Sequence, residues 1–306
     1  MRVTPAMIGA RLAADLNAAQ AALARQQTLI SSGRRVLAPS DDPGAFAEAT
    51  VVRGRQAANA QFQTNLAGAR EALGAGESVI GSVLEALTRA REVAVQGASD
   101  TNDAVARQSL SGEVDALLES LLSFGNSRSP SGAMLFGGTE TTVAPYTAVR
   151  DLAGRITGVT VNTRGIDGAT SAEVSDGTTI GTAISGTTLF GASTDPTYAF
   201  GVLVRLRDAL SANDGTATGA TLNDIGASID RGALAQAVLG SRLGWLDAVD
   251  ARLKDEAVGH SGSLSRLEDL DFVKASTDLA QMQTTYEAGL AAGARVLQRS
   301  LLDFLR

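Results

Sequence analysis

The sequence predicts a mostly α-helical protein, in which long helices form a rod that carries a small inserted β domain. Apolar residues recur at spacings of three and four through most of the chain. The composition changes to Thr, Val, Ile and Gly between residues 138 and 193. The apolar spacing of the first helix returns in the last one. We therefore expect the two terminal helices to pair as a coiled coil at one end of the rod.

The first helix is predicted from about residue 8 to residue 30. Its larger apolar side chains form one narrow stripe, with Ala19 filling a gap: Ile8, Leu12, Leu16, Leu23 and Ile30. A stripe this narrow is typical of a coiled-coil seam.

The stretch SSGRRVLAPSDDPGAF, residues 31–46, interrupts the helical pattern. Gly33 suits the left-handed turn that ends a helix, and Pro39 favours an extended residue before it. Asp42 can cap the next helix, with Pro43 at its first position, where the missing N–H is harmless. The stretch is therefore predicted to be a structural joint.

Two adjacent carboxylates also permit a different interpretation, because Asp41 and Asp42 could be metal ligands or an acid–base pair. Adjacent side chains point apart on most backbones, and no histidine, second acidic cluster or phosphate loop accompanies them. The joint is the favoured interpretation. Its residues are Gly33, Pro39, Asp41, Asp42 and Pro43.

Three further helices are predicted to form the rod. The first runs from residue 45 to about 97, which is roughly 80 Å of helix. The turn GASDTND, residues 97–103, supplies Asn and Asp as caps for the next helix, whose heptad is Leu110, Val114, Leu117, Leu121 and Phe124. A third long segment with the same stripe is predicted to begin near Thr221.

Residues 138–193 are predicted to be a small β domain, because turn sequences such as DLAG, IDG and SDG separate short β-rich runs. A short amphipathic helix at about 197–211 leads back to the rod. Three domains follow from this pattern: 1–40 with 266–306 as the terminal coiled coil, 41–137 with 213–265 as the helical rod, and 138–212 as the insertion.

The last helix repeats the seam of the first: Leu279, Met282, Tyr286, Leu290, Leu297 and Leu301. Neither seam is buried by its own helix, so each must dock on something else. Either the two helices pack on each other and on neighbouring copies, or both are buried within one ordinary globular domain. Periodicity does not decide between these arrangements.

Composition argues against several classes of function. The formal charge of −7 and the scattered basic residues argue against nucleic acid, and no run approaches the ~18 apolar residues of a membrane span. The chain has no cysteine, so disulfides and thiolate chemistry are excluded. Arg11 and Asp15 interrupt the N-terminal apolar pattern, which argues against a cleaved signal peptide. These signals alone would make the protein cytoplasmic.

No catalytic, cofactor or metal site is predicted. The single histidine, His260, lies among Gly and Ser and is interpreted as a loop or surface residue. An HExxH zinc site is impossible with one histidine, and the insertion has none to support a serine nucleophile. Carbohydrate or host-surface binding by residues 141–195 is an open alternative without a specific signal.

Several motifs in the correct order resemble the bacterial flagellin family. They are SSGRRVLAPSDDPGAF, NAQFQTNLAGAREAL, LTRAREVAVQGASDTND, RQSLSGEVDALLESLL, MLFGGTET and, near the end, LSRLEDLDFVKASTDLAQMQTTYEAGLAAGARVLQRSLLDFL. The resemblance covers residues 1 to about 147 and about 222 to 306. MRVT, PSDDPGA, FGGTET and SLLDFL are more similar to the hook-associated branch of the family than to flagellin, whereas Arg306 is a small departure from that branch.

The resemblance implies a structural, non-enzymatic axial protein of the bacterial flagellum, exported unfolded by the flagellar type III apparatus without a cleaved signal peptide. Members of this branch form a ring at the hook–filament junction, with the first hook-associated protein on one side and flagellin on the other. A small export chaperone is the implied partner before secretion, and the implied location is extracellular. Flagellin itself, which polymerises with itself, is the alternative within the family.

Overall fold

The computed structural model describes the backbone of residues 5–304 and the side chains of residue 7 and residues 9–295. These residues form seven helices: α1 Pro5–Ser32, α2 Pro43–Ala98, α3 Ala104–Gly125, α4 Gly186–Phe190, α5 Ala199–Ser211, α6 Gly215–Glu268 and α7 Phe272–Phe304. The predicted fold class, long helices with a small β insertion and paired terminal helices, is confirmed.

The chain divides into two compact units. Unit 1 comprises Met1–Ala58 with Glu256–Arg306, and unit 2 comprises Asn59–Asp255. The helices α2 and α6 contribute residues to both units. The predicted division into three domains, with boundaries near residues 40, 137, 212 and 265, stays a prediction.

The β strands of unit 2 form two separate antiparallel hairpins. Strand β1, Tyr146–Arg150, pairs with β2, Ile156–Val161, and β3, Ser171–Ser175, pairs with β4, Thr178–Gly181. Each pair contains one register irregularity. An isolated two-stranded hairpin is marginally stable in water, so these hairpins must pack against other elements.

The core of unit 2 joins the insertion to the helices through aromatic side chains. Phe190 lies 5.0 Å from Phe200 of α5, and Tyr146 of β1 also lies 5.0 Å from Phe200, between ring centroids. Phe136 packs edge-on against Phe190 at 5.8 Å. All four side chains are almost fully buried. The hairpins therefore gain their stability from the core that they share with the helices.

The two glycines of the FGG sequence form a turn against a second loop. Gly138 has φ +63°, and a Cβ added to it would lie 2.2 Å from the carbonyl oxygen of Gly165. Thr139 N donates to the same oxygen at 2.9 Å. A Cβ added to Gly137 would lie 2.2 Å from the carbonyl oxygen of Glu140. The turn therefore requires glycine for backbone conformation and for close approach.

The structure differs from the sequence-based expectations at three places. Helix α6 begins at Gly215 rather than near Thr221, and Asp214 caps it by accepting from Ala217 N at 2.9 Å. Helix α4 was not predicted at all. His260 is half-buried within α6 and not in a loop. Tertiary packing overrides the weak helix propensity of these Gly-, Ser- and Thr-rich segments.

Candidate assembly site

The terminal helices α1 and α7 pack against each other in unit 1 and run antiparallel. A Cβ added to Gly293 would lie 2.7 Å from Leu12 Cδ2, and one added to Gly289 would lie 3.3 Å from Leu16 Cδ2. Leu12 faces Gly293, and Leu16, which comes later in α1, faces Gly289, which comes earlier in α7. The two helices are therefore antiparallel. Leucine side chains of α1 thus lie over glycines of α7, which allows the two backbones to approach closely.

The covered positions of both helices follow heptad spacing, with steps of four and three. In α1 they are Leu12, Leu16, Ala19, Leu23, Gln26 and Ile30, and in α7 they are Ala275, Leu279, Met282, Tyr286, Gly289 and Gly293. Most of these residues are only half-buried within the chain. Sequence periodicity missed the two glycines, because a glycine has no apolar side chain to count.

Leu290 does not lie on this intramolecular seam. Its side chain is 45% exposed and follows the half-buried Gly289. The structure therefore separates Leu290 from the other described seam residues predicted in α7. The side chains of Ile8, Leu297 and Leu301, which were also predicted for the seam, lie outside the described residues.

The joint after α1 pairs with the link between α6 and α7. Gly33 adopts φ +68° directly after α1, and its carbonyl oxygen accepts from Leu270 N at 2.9 Å. Arg35 N donates to the carbonyl oxygen of Glu268 at 2.6 Å, and an isolated antiparallel bridge joins residues 34 and 269. The two links thus hold each other through main-chain hydrogen bonds, a pairing that the sequence did not predict.

Asp41 closes the turn that contains Pro39. Its Oδ2 accepts from the backbone N–H groups of Leu37 and Ala38, both at 3.0 Å, and Oδ1 accepts from Arg25 of α1. The two backbone N–H groups, and then the Arg25 guanidinium, hold the pKa of Asp41 below its usual value. Asp41 therefore ties the joint to the end of the first helix.

Asp42 caps α2. Its Oδ1 accepts from Ala45 N at 3.0 Å, and its Oδ2 accepts from Arg35 at 3.0 Å. Pro43 is the first residue of α2. A backbone N–H at this position has no acceptor within the helix, so the missing N–H of proline costs no hydrogen bond. The Ala45 N–H and then the Arg35 guanidinium keep the pKa of Asp42 below its usual value.

The contacts of these two carboxylates oppose the alternative interpretation as a metal or acid–base pair. Each carboxylate accepts from backbone amides and from a guanidinium, which are the contacts of a structural turn. Among the residues that the structure describes, no group of three or more His, Asp or Glu is arranged to hold a metal ion. The role of the joint as a boundary between domains stays a prediction.

Glu268 is the buried charge beside the joint. It is only 4% exposed at the C-terminus of α6, where it accepts from Arg53 of α2 and lies 3.7 Å from Arg34. A carboxylate at a helix C-terminus is opposed by the helix dipole, so it needs a cationic partner. A glutamate at the end of a predicted helix was the sequence signal that could have identified Glu268 as a residue with a cationic partner.

Glu268→Ala is expected to destabilise unit 1 by about 2 kcal/mol, because Arg53 loses its carboxylate partner. The expected loss is modest because Arg53 is 40% exposed and Arg34 is 54% exposed, so water screens both charges. Urea unfolding followed by circular dichroism gives the change. The matched control is Glu92→Ala, which removes an exposed pair with Arg89 and should cost under about 0.5 kcal/mol. Equal losses for the two variants would contradict the role of Glu268.

Acid should weaken the joint. The folded-state pKa values of Asp41 and Asp42 are lowered, so their contribution is complete above the unfolded value of about 3.9 and is lost as pH falls through the folded values. We expect the melting temperature to fall below about pH 4 more steeply for the natural sequence than for Asp41→Asn/Asp42→Asn. If the melting temperatures of the natural sequence and of the double variant fell by the same amount between pH 7 and pH 3, Asp41 and Asp42 would not be the groups through which acid weakens the joint.

Comparison with known proteins finds the same resemblance. The bacterial flagellin N-terminal helical region matches residues 6–141. Flagellar hook-associated protein 3 of Escherichia coli (strain K12) is 26% identical over 277 residues, which cover 86% of each chain. The protein of that name from Salmonella typhimurium is 30% identical over 146 residues, covering 48% of this chain and 46% of the relative. The predicted resemblance to the bacterial flagellin family is confirmed.

The fold of this chain also matches a solved structure. A flagellar hook-associated protein from Vibrio parahaemolyticus aligns with a TM-score of 0.65 and 22% identity, over 75% of this chain and all of that chain. The resemblance to the hook-associated branch, rather than to flagellin, thus agrees with these relatives. Within the described residues, no helix combines the length and the apolar character needed to cross a bilayer.

Proposed function

We propose that this chain is a structural adaptor of the bacterial flagellum at the hook–filament junction. The observation that carries the proposal is the similarity to flagellar hook-associated protein 3 along 86% of both chains. The similarity covers most of each chain, so it is not confined to one segment. The favoured role is structural, and an enzymatic role has no support from the contacts of Asp41 and Asp42.

The proposed partners follow from a position between hook and filament. Copies of this chain form a ring, with the first hook-associated protein on the hook side and flagellin on the filament side. A small export chaperone covers the chain before it leaves the cell through the type III apparatus without cleavage. The half-buried seam of α1 and α7 supports contacts with other axial proteins, because much of its apolar surface is left accessible within the chain.

Assembly and ordering of the terminal helices are proposed to be coupled. Most seam residues of α1 and α7 stay half-buried, and two of the α7 positions are glycines, so the seam buries little apolar surface for the length of helix that it orders. Further burial against neighbouring copies would supply the missing stabilisation. Such contacts are heterologous, and heterologous contacts close into rings or continue as helical tubes.

The experiment that tests the function is electron microscopy of cells that lack the gene, with an assay of flagellin in the culture medium. Hooks without filaments, together with flagellin shed into the medium, are the expected result. Absent filaments without shed flagellin would identify this chain as the flagellin. Normal filaments would contradict both roles.

A further inference from the structure

An open groove in unit 1 lies between the first turns of α2 and the last turns of α6. It has a volume of about 570 Å³. Its lining includes the apolar side chains of Val51, Val52 and Leu267 and the charged side chains of Glu48, Arg55 and Arg266. The Val51 side chain is 55% exposed, although it lies among apolar neighbours. The groove therefore presents an accessible apolar floor with charged residues around it.

The two arginines of the groove differ from the other arginines of the joint region. Arg55 and Arg266 make no ion pair with a carboxylate among the described side chains, and Arg266 donates to Ser263 Oγ at 3.0 Å. By contrast, four arginines near the joint each have a carboxylate partner in unit 1: Arg25, Arg34, Arg35 and Arg53. With Glu48 as the single acidic lining residue, the groove has an excess of positive charge.

The chain itself supplies a surface of complementary charge. Of its 33 acidic and 26 basic residues, 22 acidic and 14 basic ones fall in unit 2. Unit 1 is nearly neutral, and unit 2 is strongly acidic. Arg55 and Arg266 have no carboxylate partner within the part of the chain that the structure describes, so the groove is complementary to an acidic surface, because guanidinium groups pair well with carboxylates.

We propose that this groove binds the acidic unit 2 of a second copy of the chain. The contact is heterologous, because a basic groove of one copy meets an acidic surface of the next, as a ring requires. Apolar contact with Val51 contributes affinity, and the charge pairing with Arg55 and Arg266 orients the neighbouring copy. The inference rests on the proposed ring of copies and names one surface that builds it.

The test uses the absence of cysteine from the natural chain. Val51→Cys in the full chain provides a single thiol for a benzophenone-maleimide photocrosslinker, and flagella are isolated from cells in which this variant is the only copy. Mass spectrometry then identifies the crosslinked peptides. The expected result is crosslinks to residues 59–255 of a second copy. Crosslinks only to flagellin, to another flagellar protein or to unit 1 of a neighbour would overturn the proposal, as would no crosslink at all.

Two double variants test whether the charges of Arg55 and Arg266 contribute to binding of the second copy. Arg55→Glu/Arg266→Glu should lower the crosslink to the second copy at least tenfold, whereas Arg55→Lys/Arg266→Lys keeps the charge and should retain most of it. Thermal unfolding of each purified full chain shows whether unit 1 is still folded. Equal crosslinking by the two double variants would contradict the charge pairing. Normal filaments in cells that lack the gene would instead contradict the junction role, whatever the crosslinks show.

Discussion

Gly138→Ala is expected to destabilise unit 2 by at least about 3 kcal/mol, or to prevent its folding. Gly138 has φ +63°, which costs an alanine about 1 kcal/mol or more. In addition, the new Cβ would lie 2.2 Å from the carbonyl oxygen of Gly165 and 2.5 Å from that of Ile166. Both neighbours are backbone atoms, so the loop can relieve the clash only by giving up its own hydrogen bonds. Thermal and urea unfolding of the purified full chain measure the loss.

Gly154→Ala is the matched control for this substitution. Gly154 also has a positive φ, +82°, but an added Cβ would meet no atom within 4 Å. Its cost is therefore the conformational penalty alone, about 1 kcal/mol. The difference between the two variants isolates the close approach of the 138 and 165 loops. If both variants lost the same stability, the contact between those loops would not contribute to the stability of unit 2.

Leu290→Asp is expected to abolish incorporation into the flagellum while leaving the isolated chain folded. The Leu290 side chain is 45% exposed, so a charge there should change the free energy of unfolding by under about 0.5 kcal/mol. In an assembled ring the same side chain would be covered by a neighbour, where an unpaired carboxylate is costly. Circular dichroism of the purified chain and electron microscopy of cells that carry the variant are the two measurements.

Two further variants separate assembly from folding. Ala288→Asp places the same charge on an exposed position of α7 and should leave both folding and filaments unchanged. Leu16→Asp changes a half-buried side chain that packs near Gly289, so it should weaken the pair of α1 and α7 in the isolated chain. Normal filaments with Leu290→Asp would show that Leu290 is not an assembly contact.

Local signals in the sequence determined most of the helices and the conformation of the joint. Helix α3 forms where it was predicted, and Asp103 caps it by accepting from Ala106 N at 2.8 Å. Leu110, Val114 and Leu121 of its predicted heptad are buried, whereas Leu118 and Gly125 are buried in place of Leu117 and Phe124. Gly33 and Asp42 have the local conformation and the capping contact expected for the ends of α1 and α2. These features depend on residues a few positions apart in the chain, so propensity, capping and periodicity are sufficient to predict them.

Tertiary structure decided the features that join distant parts of the chain. Arg53 meets Glu268 across 215 positions, and the clash that restricts Gly138 comes from a loop 27 residues later. The seam of α7 passes through Gly289 and Gly293, because leucines of α1 pack where those residues have no side chain. Periodicity instead favoured Leu290, which is exposed. Apolar spacing identifies which residues are suited to burial, but the shape of the opposing helix selects the ones that the fold buries.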